Sequence, residues 1–196
     1  PNILFIVSDD QVHSALGVAG NTPLQTPHLD RLAREGLRFT HAFVPLPICT
    51  PSRAAFLTGR FGSSNGVQFF GDRIHEGIVT WPQAMARNGY QTAMTGKWHN
   101  VRDGDYYGFE WTGNVFIAGM GPFTDQPMIQ KFGEKPRLVK GNTTELYTDT
   151  ALRFLDERDK SRPFFLYVAH QAPHDPREPV PHYTDLYDPS QMPLPP

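Results

Sequence analysis

Four small groups of polar side chains have the types and spacing that chemistry uses. Asp9 and Asp10 stand side by side directly after the apolar run Ile3 to Val7. Neighbouring carboxylates repel unless a cation or hydrogen-bond donors offset the charge, and hard cations such as calcium and magnesium take such oxygen ligands. Cys49, the single cysteine, opens Cys49-Thr50-Pro51-Ser52-Arg53. With a helix starting at Thr50-Pro51, Cys49 sits where the first N–H groups lack helical partners. Such a place stabilises an anion, whether a thiolate, a sulfate or a phosphate. Arg53, one turn in, can bring a planar donor fork back to the same anion. Lys97 and His99 flank Trp98 after the run Gln91 to Thr95, and point the same way if the backbone stays extended. His170 and His174 follow another apolar run, with Pro173 and Pro176 holding His174 in a stiff loop.

Each group also has a plain structural reading. Paired aspartates occur in solvated turns, a buried cysteine can simply open a helix, and histidines in loops are most often structural. The aromatic side chains of Tyr106, Tyr107, Phe109 and Trp111 suit either a wall on which a sugar ring stacks or the core of a small subdomain. Residue chemistry alone leaves these alternatives open.

The elements that must position these groups follow from periodicity. Ile3 to Val7 is short, β-branched and followed by polar residues, the pattern of a buried parallel strand. Thr26 is the expected N-cap of a helix over Pro27 to Gly36, with Leu29, Leu32 and Ala33 on one face. Leu37 to Val44 reads as a strand, and Thr50-Pro51 begins a helix that runs through Leu57 to Gly59. A third helix spans about Thr80 to Gly89, and Gln91 to Thr95 is a strand stopped by Gly96. From about His99 to Gly141 periodicity is lost, which predicts irregular loops with room for a hairpin. A helix over Thr143 to Asp159 lines up Tyr147, Ala151, Phe154 and Leu155. Pro163 to Ala169 is a fully buried strand, and proline-rich loop follows, through Met192 to Pro196.

Strands alternating with helices predict an α/β fold with a mostly parallel sheet and helices on both faces. Ligands bind at the carboxyl ends of such strands, where Asp9-Asp10, Lys97 to His99 and His170 to His174 all fall. With 196 residues, 39% of them hydrophobic, the chain can bury one sizeable core. A net charge of -2, with both signs interspersed, argues against a nucleic-acid surface or a polybasic membrane anchor. No apolar stretch approaches the roughly 20 residues of a membrane span. The chain opens at Pro1 on a core strand and closes on a loop, so it reads as a fragment of a larger domain.

Taken together, these residues resemble the sulfatase family of the alkaline-phosphatase-like superfamily. Cys49 to Gly59 matches the first signature of that family along its whole length. Gly89 to His99 matches the second, departing only at Thr95, where a small apolar residue or serine is more usual. Pro1 to Asp10 and Ala172-Pro173-His174-Asp175-Pro176 complete the expected order. The resemblance implies that residues 1–196 are the N-terminal part of a sulfatase catalytic domain, with the irregular region at about 100–141 inside it.

The resemblance also implies a set of roles. A maturation enzyme would oxidise Cys49 to Cα-formylglycine, whose hydrate attacks the sulfur of a sulfate ester; the alcohol leaves, and sulfate is then expelled to restore the aldehyde. Asp9, Asp10 and the hydrate oxygen at position 49 match ligands of a divalent cation, calcium first and magnesium as the alternative. Arg53 matches the residue that holds the hydrated aldehyde, and Lys97 and His174 match sulfate-binding groups. His99 matches the partner of the second hydrate hydroxyl, a general base. In some members the histidine matching His174 protonates the leaving oxygen. The residues do not name the ester; bacterial relatives often act on sulfated polysaccharides in the periplasm or outside the cell, so the resemblance offers a sulfated carbohydrate by analogy.

Two rivals remain at this stage. Some phosphonate, phosphate mono- and diesterases of the same superfamily carry the same cysteine signature, and sulfate and phosphate esters share tetrahedral geometry. A non-catalytic, anion-binding fragment is the other. Family members complete the metal site with an Asp-Asn or Asp-His pair beyond the residue matching His174. The chain stops short of that pair, so these 196 residues alone are expected to show little or no activity.

Overall fold

The computed structural model describes residues 1–21, 23–100 and 106–192. The closing residues 193–196 of the expected terminal loop lie outside that set. Among the described residues six strands and six helices follow in chain order: β1 Ile3–Val7, α1 Pro27–Glu35, α2 Cys49–Thr58, α3 Gly62–Asn65, α4 Trp81–Arg87, β2 Gln91–Lys97, β3 Trp111–Phe116, β4 Thr124–Met128, β5 Arg137–Asn142, α5 Thr143–Glu157, β6 Phe164–Ala169 and α6 Pro181–Thr184. Short 3-10 turns lie at Gly17–Ala19, Tyr106–Gly108 and Pro189–Gln191.

The central sheet is parallel throughout, with strand order β1-β6-β2-β3. Strand β6 sits inside it and is buried along its whole length, as a strand covered on both faces must be. Its alternate residues divide the core. Phe165, Tyr167 and Ala169 pack with Ala54 and Leu57 of α2 and with Trp81 and Met85 of α4. Phe164, Leu166 and Val168 pack with Ala151 and Phe154 of α5 on the opposite face. The predicted α/β arrangement, with helices on both faces, is the one observed. At the edge, β1 turns Ile3, Phe5 and Val7 into the first core, while Leu4 (50%) and Ile6 (58%) remain exposed on the other side.

Helix boundaries follow local chemistry. Thr80 caps α4 in a reciprocal box with Gln83, with Pro82 in the first turn. Asn142 caps α5 by accepting from the Thr144 N–H. Thr26 does precede α1, but its hydroxyl makes no capping bond. It accepts from the Gly17 N–H and donates to Asp30 instead.

The structure corrects three expectations. Leu37 to Val44 forms no strand: none of its residues pairs with a neighbour in the sheet, and Leu37 (80%) and Phe43 (87%) are exposed. Its β-rich composition marks a preference for burial that nothing among the described residues satisfies. Strand β2 does not stop at Gly96 but continues to Lys97 through a register shift. Gly96 takes φ +97° there and stays paired with Ala169, whose carbonyl oxygen would lie 2.0 Å from any added Cβ. The described part of the region from 99 to 141 is more ordered than its composition predicts. It holds β3 as the sheet's edge strand, and the anticipated hairpin is the antiparallel pair β4–β5. Gly113 and Asn114 hide β3 from the eye, yet Gly113 is where Thr150 and Arg153 of α5 press closest, at 2.8 and 2.9 Å from a hypothetical Cβ.

Candidate active site

The carboxyl ends of β1, β2 and β6 meet the start of α2, and the polar groups singled out in the sequence gather there. Asp9 follows β1, and its N–H donates to the Ala172 carbonyl (3.2 Å), tying it to the loop after β6. The Asp9 carboxylate is buried against the Lys97 ammonium, with Arg53 Nη2 3.5 Å away. Asp10 is exposed, in the left-handed backbone region at φ +59°.

Helix α2 begins at Cys49, one residue ahead of the expected start, after Ile48 with no side-chain cap. Its first N–H groups therefore have no side-chain capping oxygen as a partner. Cys49 is a half-buried free thiol in the first turn. Arg53, one turn later, is buried, donates to the Lys97 carbonyl (2.8 Å) and reaches the Tyr167 hydroxyl (3.5 Å). Thr50 donates to the His99 carbonyl (2.9 Å), which locks the helix start to the segment after β2.

Lys97 is fully buried at the last position of β2. Burial pulls its pKa down, and the Asp9 carboxylate opposes that pull. His99 does not continue the extended backbone, because its φ is +46°. Lys97 and His99 are thus aimed separately, not by strand alternation. The His99 ring stacks on Phe70 (5.4 Å, 23°), and its Nδ1 is buried with no hydrogen-bond partner. Burial, helped by the positive charges of Lys97 and Arg53, lowers the His99 pKa to about 4. The ring is neutral at pH 7 and able to accept a proton. His174 holds its Nδ1 2.7 Å from the Asp175 carbonyl, which leaves Nε2 as its free nitrogen.

A cavity of about 500 Å³ is lined by Asp9, Asp10, Cys49, Arg53 and His174. Lys97 and His99 stand behind it, in contact with its lining residues Asp9 and Phe70. His170, grouped with His174 in the sequence, goes elsewhere: it is half-buried beside Tyr147 (6.2 Å), and burial lowers its pKa. Tyr107 and Phe109 belong to the core around Trp98, not to a sugar-binding wall, and Trp111 packs on Phe154. The Tyr106 side chain lies outside the described residues. Phe70 lines the cavity and had no sequence signal beyond the adjacent Phe69-Phe70 pair.

Comparison with known proteins identifies the family. A family model described as Sulfatase matches residues 1–194. The chain belongs to the sulfatase family. It is 35% identical over 199 residues to an N-acetylglucosamine-6-O-sulfatase of Bacteroides thetaiotaomicron, covering 100% of this chain and 34% of that protein. It is 33% identical over 210 residues to the human N-acetylgalactosamine-6-sulfatase, covering 90% of this chain and 40% of that protein. A structure solved in complex with its substrate, D-glucosamine-2-N,6-O-disulfate, superposes with a TM-score of 0.89 at 34% identity. That match covers 100% of this chain and 39% of the other. The chain therefore spans little more than a third of the length of these relatives. A phosphonate monoester hydrolase of Agrobacterium radiobacter, 22% identical with a TM-score of 0.76, shares the fold.

Proposed function

We propose that the protein hydrolyses sulfate esters of carbohydrates, with the 6-O-sulfate of a hexosamine as the favoured substrate. The observation that carries this reading is the single cavity on which Asp9, Asp10, Cys49, Arg53 and His174 converge. The sugar and the position are supported by the two relatives named for 6-sulfated amino sugars and by the neighbour solved with a 6-O-sulfated glucosamine.

Side by side on the cavity wall, Asp9 and Asp10 offer oxygen donors of the kind that hard divalent cations take. Among the described residues no three His, Cys, Asp or Glu side chains are placed to hold a metal ion by themselves, and Asp9 is already paired with Lys97. These residues fit part of a coordination sphere, and in this reading they hold calcium, or alternatively magnesium, together with residue 49. When present, such a cation and a formylglycine hydrate made from Cys49 by a maturation enzyme supply a polarised oxygen nucleophile, which a thiol does not.

The remaining roles fall to side chains of this chain. Arg53 is braced by the Lys97 carbonyl and Tyr167, and it orients residue 49 from one helical turn away. The formal charges of Asp9, Asp10, Arg53 and Lys97 cancel, so a bound divalent cation would supply the net positive charge that an entering sulfate meets. His174 binds the sulfate or protonates the leaving oxygen through Nε2. His99, kept neutral, accepts the proton from the hydroxyl at position 49.

The test has two parts, made on the protein at its natural length after co-expression with a maturation enzyme. Turnover of a generic aryl sulfate is compared with aryl phosphate mono- and diesters and a phosphonate monoester. The mass of the peptide containing residue 49 is measured in parallel. Sulfate turnover above every phosphorus ester, with the sulfur of Cys49 lost, is expected. Preference for a phosphorus ester, or an unmodified thiol in an active preparation, sinks the reading.

A further inference from the structure

Behind the site lies a buried chain of side-chain amides that none of the roles above uses. Tyr147 of α5 donates its hydroxyl to Gln126 Oε1 (2.8 Å). Gln126 of β4 donates Nε2 to Gln171 Oε1 (2.7 Å) and to the Pro122 carbonyl (2.8 Å). Gln171 then donates Nε2 to the Gly121 carbonyl (2.7 Å). All three side chains are essentially inaccessible to solvent. Burying two amides and a phenol costs stability unless every group is paired, and here the donors run in one direction and end on a backbone carbonyl. Neither amide can flip alone without setting like groups against each other.

Gln171, the inner member of this chain, leads through the backbone to both histidines of the site. The Gln171 carbonyl accepts the His174 N–H (3.1 Å), and the next carbonyl, Ala172, accepts from Asp9. On the other side, Gly121 and Pro122 belong to the segment after β3 whose Gly119 abuts the His99 ring. A Cβ on Gly119 would fall 2.3 Å from His99 Cε1 and 2.4 Å from Nε2. With Phe70 on its face and Gly119 at its edge, the His99 ring is held in a slot, and one wall of that slot is pinned by Gln171.

We infer that Gln171, braced by Gln126 and Tyr147, is a positioning residue that fixes His99 and His174 relative to each other across the cavity. It does so by tying the loop after β6 to the loop after β3 at Gly121, on the His99 side of the bond that Phe123 N–H donates to Glu178 (2.8 Å). The inference rests on the site reading given above, since it assigns work to those two histidines. It also explains why a polar residue occupies a fully enclosed position where an apolar one would pack without needing partners.

The test uses the protein at its natural length with Gln171→Met, which keeps the length but makes neither amide bond, and Tyr147→Phe, which removes only the outermost donor. For Gln171→Met, kcat on the sulfate ester is expected to fall roughly tenfold to a hundredfold, with KM changing much less, as small misplacements of reacting groups do. Tyr147→Phe falls less, and the double variant is no worse than Gln171→Met alone, because both interrupt one chain. Imidazole NMR gives a readout independent of turnover. The His99 and His174 resonances both shift in Gln171→Met, while those of the exposed His28 and His41 stay in place. If the unaltered protein releases no sulfate, the functional reading fails and the NMR comparison still decides the positioning. Unchanged His99 resonances, or a drop in melting temperature with kcat intact, overturn the inference. Should Gln171→Met fail to fold, Gln171→Glu, which keeps the acceptor for Gln126 and loses the donor to Gly121, replaces it with the same expectations.

Discussion

Replacing Lys97 by methionine probes the electrostatic centre of the structure. Lys97 is fully buried and in contact with the Asp9 carboxylate, which is itself buried. Removing one partner of a buried pair commonly costs about 3–5 kcal/mol, because the other charge stays behind without compensation. Here Arg53 remains 3.5 Å from Asp9 and softens the loss, so we expect about 2–4 kcal/mol for Lys97→Met. Asp9→Asn leaves the ammonium stranded. Burial already depresses its pKa, so the lysine sheds its proton and limits the cost to a similar ~2–4 kcal/mol. The double variant removes both charges together and leaves only Arg53, still held by the Lys97 carbonyl, without its carboxylate, so the two losses should fall short of adding by about 1–3 kcal/mol. Urea unfolding of the four proteins, with matched m-values, gives the coupling directly. Additivity to within about 0.5 kcal/mol would refute the claim that these two groups form the pair that organises the site.

Further predictions concern its neighbours. Gly96→Ala should destabilise the protein by at least about 3 kcal/mol, because both φ +97° and the Ala169 carbonyl oppose a Cβ. Gly89→Ala, at φ +82° but in open space, should cost only about 1–2 kcal/mol in the same unfolding assay. His99 has a folded pKa of about 4 against an ordinary 6.5, so the unfolded chain binds the extra proton between these values. Its contribution is therefore complete above pH 6.5 and lost as pH falls towards 4, by an amount on the order of 2–3 kcal/mol. His99→Gln should flatten that part of the stability–pH curve. Arg53→Lys, which cannot hold the Lys97 carbonyl and Asp9 with one planar fork, should lower turnover at least roughly tenfold while leaving the protein folded.

The sequence was most legible where local chemistry and tertiary demand agree. The continuous apolar run at Phe164–Ala169 reads as a strand covered on both faces, and the periodicity of the helix at Thr143–Glu157 announced the burial of Tyr147, Ala151 and Phe154. The motif around Cys49 was readable because its residues sit close in the chain and share one helix end. What stayed hidden depends on distant partners. Leu37 to Val44 has strand-like residues, but a strand exists only through pairing, and no described neighbour pairs with it. Strand β3 lies behind Gly113 and Asn114, residues that normally mark a turn; at Gly113 the side chains of Thr150 and Arg153 on α5 crowd the place a Cβ would take. Gln126, Gln171 and Tyr147 meet across 21 and 45 positions of sequence, so nothing in the order of residues announces their contact. The same holds for the slot that Phe70 and Gly119 make for His99.

The most direct measurement of the central claim is inorganic sulfate released from N-acetylglucosamine 6-sulfate by the protein at its natural length, compared with its Cys49→Ala variant. After co-expression with a maturation enzyme and with calcium present, the account predicts steady release by the unaltered protein and none above background from Cys49→Ala. Equal release by both, or none from this or any other sulfated hexosamine by the unaltered protein, would contradict it.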